Sequence, residues 1–219
     1  MRKMYHTVIF DLDGTLLNTI DDLADAVKYV QGKYGFPLHS VDLVRQHVGN
    51  GIKKLIIRSI PEGESNPQFE NVYQDFLKYY QEHCQIKTAA YPGIMDLLKE
   101  LYSRNVKMAI VSNKAHPAVA ELNEIYFKDY ISVAIGENEA AGIKKKPAPD
   151  SVLHALELLG SEPSQAVYVG DSEVDRATAE NSGLDCVLCS WGFRERELLE
   201  SLEPMAIIDR PEELLKIIM

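Results

Sequence analysis

The stretch Val-Ile-Phe-Asp-Leu-Asp-Gly-Thr, residues 8–15, joins an apolar run to two acidic side chains. A continuous apolar run of this kind is typical of a strand that is covered on both faces. Asp11 and Asp13 come directly after it, so they would lie at the carboxyl edge of a sheet, where α/β folds bind ligands. Gly14 would let the chain turn sharply away. An ordinary acidic turn would show the same pattern, so this stretch alone leaves the function open.

Further short runs rich in β-branched residues predict strands at 107–111, 131–135, 166–169, 185–188 and 206–208. The segments between them place apolar side chains at helical spacing, as in Ile94, Leu97, Leu98 and Leu101. Strands that alternate with helices are typical of α/β proteins with a mostly parallel sheet.

The segment 18–86 breaks this alternation. It contains helical patterns at 22–34 and 68–84, and we find no convincing strand in it. The second pattern carries an apolar and aromatic stripe, which is typical of the core of a helix bundle. We therefore expect a helical domain at 18–86, inserted into an α/β core formed by 1–17 and 87–219.

The composition excludes several classes of protein. Among 219 residues, 23 are basic and 33 are acidic, which gives a formal net charge of −10 and argues against a nucleic-acid partner. No apolar run approaches the roughly 18 residues of a transmembrane helix, and no secretory signal pattern is visible. We therefore expect no membrane association and a cytoplasmic location. The odd number of cysteines, 3, argues against a disulfide framework.

Three further polar motifs follow in chain order. They are Ser112-Asn113-Lys114, Lys144-Lys145-Lys146-Pro147 and Gly170-Asp171-Ser172-Glu173-Val174-Asp175. Each has an ordinary explanation when taken alone, since a lysine run is typical of a solvated loop and Asp-Ser is typical of a helix N-cap.

Together and in this order, Asp-Leu-Asp-Gly-Thr, Ser, Lys-Pro and Gly-Asp-Ser-x-x-Asp resemble the motifs of the haloacid dehalogenase-type phosphohydrolases. The likeness covers essentially the whole chain, and Trp191-Gly192-Phe193 and segment 209–214 are similar to the phosphoglycolate phosphatase branch. The resemblance implies a Rossmann-like parallel sheet core with an inserted α-helical cap domain. True dehalogenases lack the second acidic residue, Asp13, so dehalogenation is not expected.

The resemblance also implies a role for each polar residue of these motifs. Asp11 would attack phosphorus and form an aspartyl-phosphate, while Asp13 would protonate the leaving oxygen and later activate water. Mg²⁺ prefers hard oxygen ligands. The side chains of Asp11 and Asp171 and the carbonyl of Asp13 would supply them, with Asp175 touching the ion or lying one contact away. The phosphoryl oxygens would be bound by Ser112, Asn113 and Lys146.

The segment His47-Val48-Gly49-Asn50-Gly51 is similar to the cap loop of phosphoglycolate phosphatases. We expect substrate contacts from Arg45, Gly49, Asn50, Gly51 and Lys53. A substrate carboxylate would meet Arg45, Lys53 or Lys54, although a solvated helix face is the simpler explanation of these basic residues.

These motifs predict a Mg²⁺-dependent phosphatase that acts on a small phosphorylated metabolite, with 2-phosphoglycolate as the first candidate. Alternatives in the same family are a pyrophosphatase, a nucleotidase or a sugar phosphomutase. A non-catalytic protein that binds a phosphorylated ligand is an alternative from another class. The sequence leaves the oligomeric state open.

Overall fold

The computed structural model of the protein describes residues 4–218, and these form two compact units. Within the described residues, unit 1 is made of 4–16 and 90–218, and unit 2 is made of Leu17–Ala89. Unit 2 occupies the part of the chain in which the sequence predicts an inserted domain, 18–86. The role of that domain as a cap stays a prediction.

The strands of the described chain form one large sheet and one small sheet. In chain order they are β1 (Thr7–Phe10), β2 (Leu17–Asn18), β3 (Ala89–Ala90), β4 (Lys107–Ala115), β5 (Val133–Glu137), β6 (Ala166–Gly170), β7 (Asp185–Cys189) and β8 (Ala206–Ile208). The large sheet lies in unit 1 and has the order β5-β4-β1-β6-β7-β8. Its strand pairs are parallel, which confirms the predicted α/β class.

Helices follow or precede the strands of unit 1 and make up most of unit 2. In chain order they are α1 (Ile20–Tyr34), α2 (Val41–His47), α3 (Ile52–Ser59), α4 (Phe69–His83), α5 (Ile94–Ser103), α6 (His116–Tyr126), α7 (Asp150–Leu159), α8 (Glu173–Asn181), α9 (Arg196–Ser201) and α10 (Leu214–Ile218). Short 3₁₀ turns lie at Gly63–Ser65, Glu139–Ala141, Pro163–Gln165 and Pro211–Glu213.

The register of the large sheet brings the ends of β1 and β6 to one edge, beyond which β4 continues. Phe10 of β1 is the partner of Ile110 in β4 and of Val169 in β6. Asp11 and Asp171, which follow β1 and β6, therefore leave the sheet at the same edge. The apolar residues of β1 and β6 are buried, as expected for strands with helices on both faces.

Strand β4 is longer than the sequence predicts. The apolar run stops at Val111, but the strand continues through the polar residues to Ala115, with a shift of its register against β5 after Val111. The sequence did not predict this extension because polar side chains at the edge of a sheet lack the apolar pattern of a buried strand.

Unit 2 is mainly helical. Helices α1 and α4 pack against each other and contribute the fully buried side chains Val27, Val30, Val72 and Phe76. The expectation that the segment from residue 18 lacks a strand is wrong at its start, because Asn18 belongs to β2, which pairs with β3. A strand of two residues is too short to produce an alternating pattern in the sequence.

Among the described residues, none of the helices combines the length and the apolar character needed to cross a membrane. The three cysteines, Cys84, Cys186 and Cys189, are buried and are not joined by disulfides.

Candidate active site

Three acidic residues from distant parts of the chain meet at the carboxyl edge of the large sheet. Asp11 follows β1, Asp171 follows β6, and Asp175 lies in the first turn of α8. One carboxylate oxygen from each lies within 4.8 Å of the others, and all three residues are buried. The structure thus brings together three of the four acids that the sequence assigned to a metal site.

Glycines leave the space that the Asp171 side chain fills. Gly14 has a φ of +93°, and a Cβ atom added there would lie 2.5 Å from Asp171 Oδ2. A Cβ atom on Gly192 would also overlap the Asp171 side chain. The next amide, Phe193 N, donates a hydrogen bond of 2.6 Å to Asp171 Oδ2. The Trp-Gly-Phe motif therefore forms part of the wall that positions this carboxylate.

The Asp175 carboxylate is engaged on both of its oxygens. Oδ2 accepts hydrogen bonds from the amides of Asp171 and Ser172, at 3.2 and 3.1 Å, and from Ser172 Oγ at 2.6 Å. Ser172 Oγ in turn caps the start of α8 in a capping box. Oδ1 lies 2.8 Å from Lys146 Nζ. Both oxygens already have protein donors, so Asp175 is better placed to fix its neighbours than to bind an ion directly.

The ammonium group of Lys146 bridges two carboxylates of this cluster. Its Nζ lies 2.6 Å from Asp11 Oδ1 and donates to the Tyr168 hydroxyl at 3.1 Å. That hydroxyl donates to Asp175 Oδ1, also at 3.1 Å. Tyr168 is fully buried in β6, and it is a site residue that sequence reasoning missed, because β-strand patterns treat tyrosine as an ordinary apolar strand residue.

The backbone of Lys146 is held by Asn113. Asn113 Oδ1 accepts from Lys146 N at 2.7 Å, and Asn113 Nδ2 donates to Lys146 O at 3.1 Å. A direct contact between Asn113 and phosphate therefore stays a prediction, since the side chain is engaged in positioning the lysine. Ser112 is buried beside it.

Burial and mutual repulsion dominate the electrostatics of the cluster. Burial, opposed by Lys146 and reinforced by Asp175, raises the pKa of Asp11 to about 7. Burial and repulsion from Asp175 and Asp11 raise the pKa of Asp171 well above its usual range. Burial also acts on Asp175, but the Lys146 ammonium outweighs it and lowers the pKa of that carboxyl. Burial disfavours the charge on Lys146, yet Asp11 and Asp175 raise the pKa of this ammonium.

A divalent cation fits these residues. Three carboxylates face one another in a buried space, and Lys146 offsets one of their three charges, which leaves two in excess. Carboxylate oxygens are the hard ligands that Mg²⁺ prefers. Asp11 and Asp171 would hold the ion, which when bound would neutralise charge on a transferring phosphoryl group.

A second lysine contacts the site at Asp13. Lys114 Nζ lies 3.1 Å from Asp13 Oδ1, and the lysine side chain is buried. Lys114 belongs to the Ser-Asn-Lys motif, but the sequence alone predicts no role for it. The signal available was its place two residues after Ser112, at the same edge of the sheet.

Arg194 also lies at this edge and was missed. Its guanidinium binds the Glu173 carboxylate through two hydrogen bonds, at 2.8 and 3.1 Å. Burial would raise the pKa of Glu173, but these hydrogen bonds from Arg194 lower it. The pair ties the start of α8 to the segment after Phe193.

In unit 2, the predicted substrate loop is organised by Arg58 of α3, which sequence reasoning did not select. Arg58 donates to His47 O at 2.8 Å and to Asn50 Oδ1 at 2.7 Å. Gly49 and Gly51 have φ values of +124° and +82°, so the tight backbone that these glycines suggested is present. Contact of this loop with substrate stays a prediction.

The basic residues proposed for a substrate carboxylate have acidic partners within unit 2. Arg45 pairs with Asp42 at 2.9 Å, and Lys53 pairs with Glu64 at 2.6 Å. Each pair is at least partly exposed, so water screens the attraction between its charges. Their role in substrate binding stays a prediction.

Comparison with known proteins identifies the family. The model of the family described as haloacid dehalogenase-like hydrolase matches residues 8–189. The chain belongs to the haloacid dehalogenase-like hydrolase family. This member is 32% identical over 219 residues to phosphoglycolate phosphatase 1 of Pseudomonas aeruginosa, covering 97% of this chain and 79% of that protein. It is 31% identical to a phosphoglycolate phosphatase of Aquifex aeolicus, covering 96% and 95%.

Solved structures agree with these relatives. A protein from Lactobacillus delbrueckii subsp. bulgaricus superposes with a TM-score of 0.93 at 35% identity, covering 99% of each chain. A predicted phosphoglycolate phosphatase from Haemophilus somnus superposes with a TM-score of 0.89 at 26% identity, covering 98% of each chain. The predicted family, its phosphoglycolate phosphatase-like branch and the class of enzyme, a phosphoric monoester hydrolase, are confirmed.

Proposed function

We propose that this hydrolase is a Mg²⁺-dependent phosphatase that forms an aspartyl-phosphate on Asp11 and acts on 2-phosphoglycolate. The observation that carries the proposal is the buried contact of Lys146 with both Asp11 and Asp175, beside the carboxylate of Asp171. The names of the relatives support the choice of substrate. The cytoplasmic location expected from the sequence stays a prediction.

In the first step, an Asp11 oxygen forms a bond to phosphorus as the bond between phosphorus and the ester oxygen breaks. Asp13 gives its proton to the leaving oxygen, so the alcohol departs neutral at that atom. In the second step, Asp13 takes a proton from a water molecule that attacks the phosphorus, and Asp11 is released with inorganic phosphate. Both steps thus use the two acids that follow β1: Asp11 as nucleophile and then leaving group, and Asp13 as acid and then base.

The surrounding residues keep Asp11 ready to attack. Lys146 contacts an Asp11 oxygen at 2.6 Å, which fixes the carboxylate and favours its ionised form. Burial alone would favour the protonated form, which cannot attack phosphorus. The excess negative charge of the three carboxylates is the basis of the proposed Mg²⁺ requirement.

Phosphate release from 2-phosphoglycolate, measured with Mg²⁺ and with a chelator, tests this function. We expect turnover only with the metal, and a loss of at least about 10³-fold in kcat for Asp11→Asn, since a nucleophile is removed. Asp129→Asn is the matched control, because Asp129 is exposed. Acid quenching during the first turnover should trap phosphate on the unmodified chain. Unchanged turnover of Asp11→Asn would exclude Asp11 as the nucleophile.

A substrate panel tests the finer assignment. Pyrophosphate, nucleoside monophosphates and phosphosugars should release phosphate more slowly than 2-phosphoglycolate. A phosphomutase would instead interconvert phosphosugar isomers with little release of phosphate, and that result would replace the proposed function.

A further inference from the structure

The two buried lysines of the site serve different carboxylates. Lys146 contacts Asp11 and Asp175, whereas Lys114 lies 3.1 Å from Asp13 Oδ1 with only 6% of its side chain exposed. Asp11 is the proposed nucleophile and Asp13 is the proposed acid. One ammonium therefore lies beside the attacking group, and the other lies beside the group that protonates the leaving oxygen.

The backbone that carries Lys114 is held in place. Its amide donates to Ser112 Oγ at 3.1 Å. Gly136 of the neighbouring strand β5 lies so close that a Cβ atom added there would be 2.5 Å from Lys114 O. Because both neighbours fix the end of β4, the Lys114 ammonium is presented to Asp13 from an ordered strand.

This position places Lys114 next to the leaving group. To transfer its proton, an Asp13 oxygen must approach the leaving oxygen to about 2.6–3.2 Å. The Lys114 ammonium contacts that same Asp13 carboxyl group, so it lies close to the leaving alcohol. An ammonium has three N–H donors and can bind more than one acceptor at a time. A buried ammonium is stabilised most by an anionic acceptor.

We propose that Lys114 determines substrate specificity by binding an anionic group on the leaving alcohol. A carboxylate one carbon away from the ester oxygen is the chemistry that fits this position. The inference rests on the proposed phosphatase function and adds to it a residue that recognises the substrate. It assigns recognition of the carboxylate to the core, in place of the Arg45, Lys53 or Lys54 expected from the sequence.

Two esters of similar size test the proposal: 2-phosphoglycolate, and 2-hydroxyethyl phosphate, in which a hydroxymethyl group replaces the carboxylate. The unmodified enzyme should have the higher kcat/KM on 2-phosphoglycolate. Lys114→Met should lose roughly 30-fold in kcat/KM on that substrate, mainly through KM, as for one buried charge-assisted hydrogen bond. The loss on 2-hydroxyethyl phosphate should be much smaller. Lys114→Arg should keep the preference, and Lys144→Met, which changes an exposed lysine, should leave both rates unaltered.

Equal losses on the two esters would overturn the proposal, because Lys114 would then act only through Asp13. An unmodified enzyme without a preference for 2-phosphoglycolate would overturn it as well, and this measurement needs no folded variant. Failure of the proposed function looks different: the unmodified enzyme would release phosphate from neither ester in the presence of Mg²⁺, and the inference would fall with it.

Discussion

Replacing Asp171 with asparagine should stabilise the metal-free protein and remove its response to Mg²⁺. The Asp171 carboxylate is buried within 4.8 Å of carboxylate oxygens of Asp11 and Asp175. It accepts a hydrogen bond from Phe193 N, and the carbonyl oxygen of an asparagine can accept the same bond. The substitution therefore removes a charge with little change in shape.

The magnitude follows from the charges. At an effective dielectric constant of about 20, two like charges within 4.8 Å of each other repel by at least about 3.5 kcal/mol, so two such neighbours cost Asp171 at least about 7 kcal/mol. Lys146, which contacts both neighbours, offsets part of this cost. Proton uptake relieves more, because burial and the two repulsions raise the pKa of Asp171. We expect a net gain of about 2 kcal/mol, or a rise in Tm of about 4–8 °C.

The raised pKa of Asp171 also determines how the stability gained by the substitution changes with pH. A carboxyl whose pKa is raised on folding contributes its stabilisation below its unfolded pKa, and this is lost as the pH rises through the folded pKa. The advantage of Asp171→Asn over the unmodified protein should therefore grow from pH 4 toward pH 8.

Thermal unfolding with a chelator and with millimolar Mg²⁺ measures both effects. The Tm of the unmodified protein should rise with Mg²⁺, and the Tm of Asp171→Asn should not. Asp129→Asn, at an exposed site, should match the unmodified protein throughout. The reasoning is refuted if Asp171→Asn lowers the Tm without metal, or if Mg²⁺ raises the Tm of the variant as much as that of the unmodified protein.

Three further variants probe other buried or partly buried groups. Tyr168→Phe removes a hydroxyl that bonds to two charged partners; it should cost about 1–2 kcal/mol in urea unfolding and lower kcat more than it raises KM. Asp22→Ala leaves the Thr88 amide and hydroxyl without the carboxylate that binds them at 2.9 and 2.8 Å, so unfolding should become easier by about 3 kcal/mol. Burial lowers the pKa of both His39 and His47. The stability that the folded protein gains from these neutral imidazoles is present above the unfolded pKa and is lost as the pH falls. Replacing both with glutamine should therefore make Tm less sensitive to pH between 7 and 5.

The positions of Asp11 and Asp171 could be predicted because they depend on strand direction and register. A parallel sheet places the carboxyl ends of neighbouring strands at one edge, and each acid directly follows an apolar run that stops at that edge. The pairing of Phe10 with Val169 then brings the two acids together. No knowledge of side-chain packing was needed for this part of the site.

The partners of these acids could not be predicted because they depend on packing between distant segments. Lys114 and Asp13 are 101 residues apart, and no periodicity links them. In the sequence, Tyr168 is indistinguishable from the apolar residues of a buried strand. Only the structure shows its hydroxyl between Lys146 and Asp175.

Lys114 also changes the charge that an anionic substrate meets. Four acids, Lys146 and one divalent cation would leave a site with a single negative charge, which would repel a phosphate dianion. The second ammonium brings this sum to zero, and protonation of Asp13 for its role as the acid would make the site positive by one. A small anion can thus enter a protein whose formal charge is −10, because the balance within about one Debye length of the site, roughly 8 Å, decides its binding. Neutralising Lys114 should therefore also weaken inhibition by inorganic phosphate, although less than it weakens the binding of a substrate that carries a carboxylate.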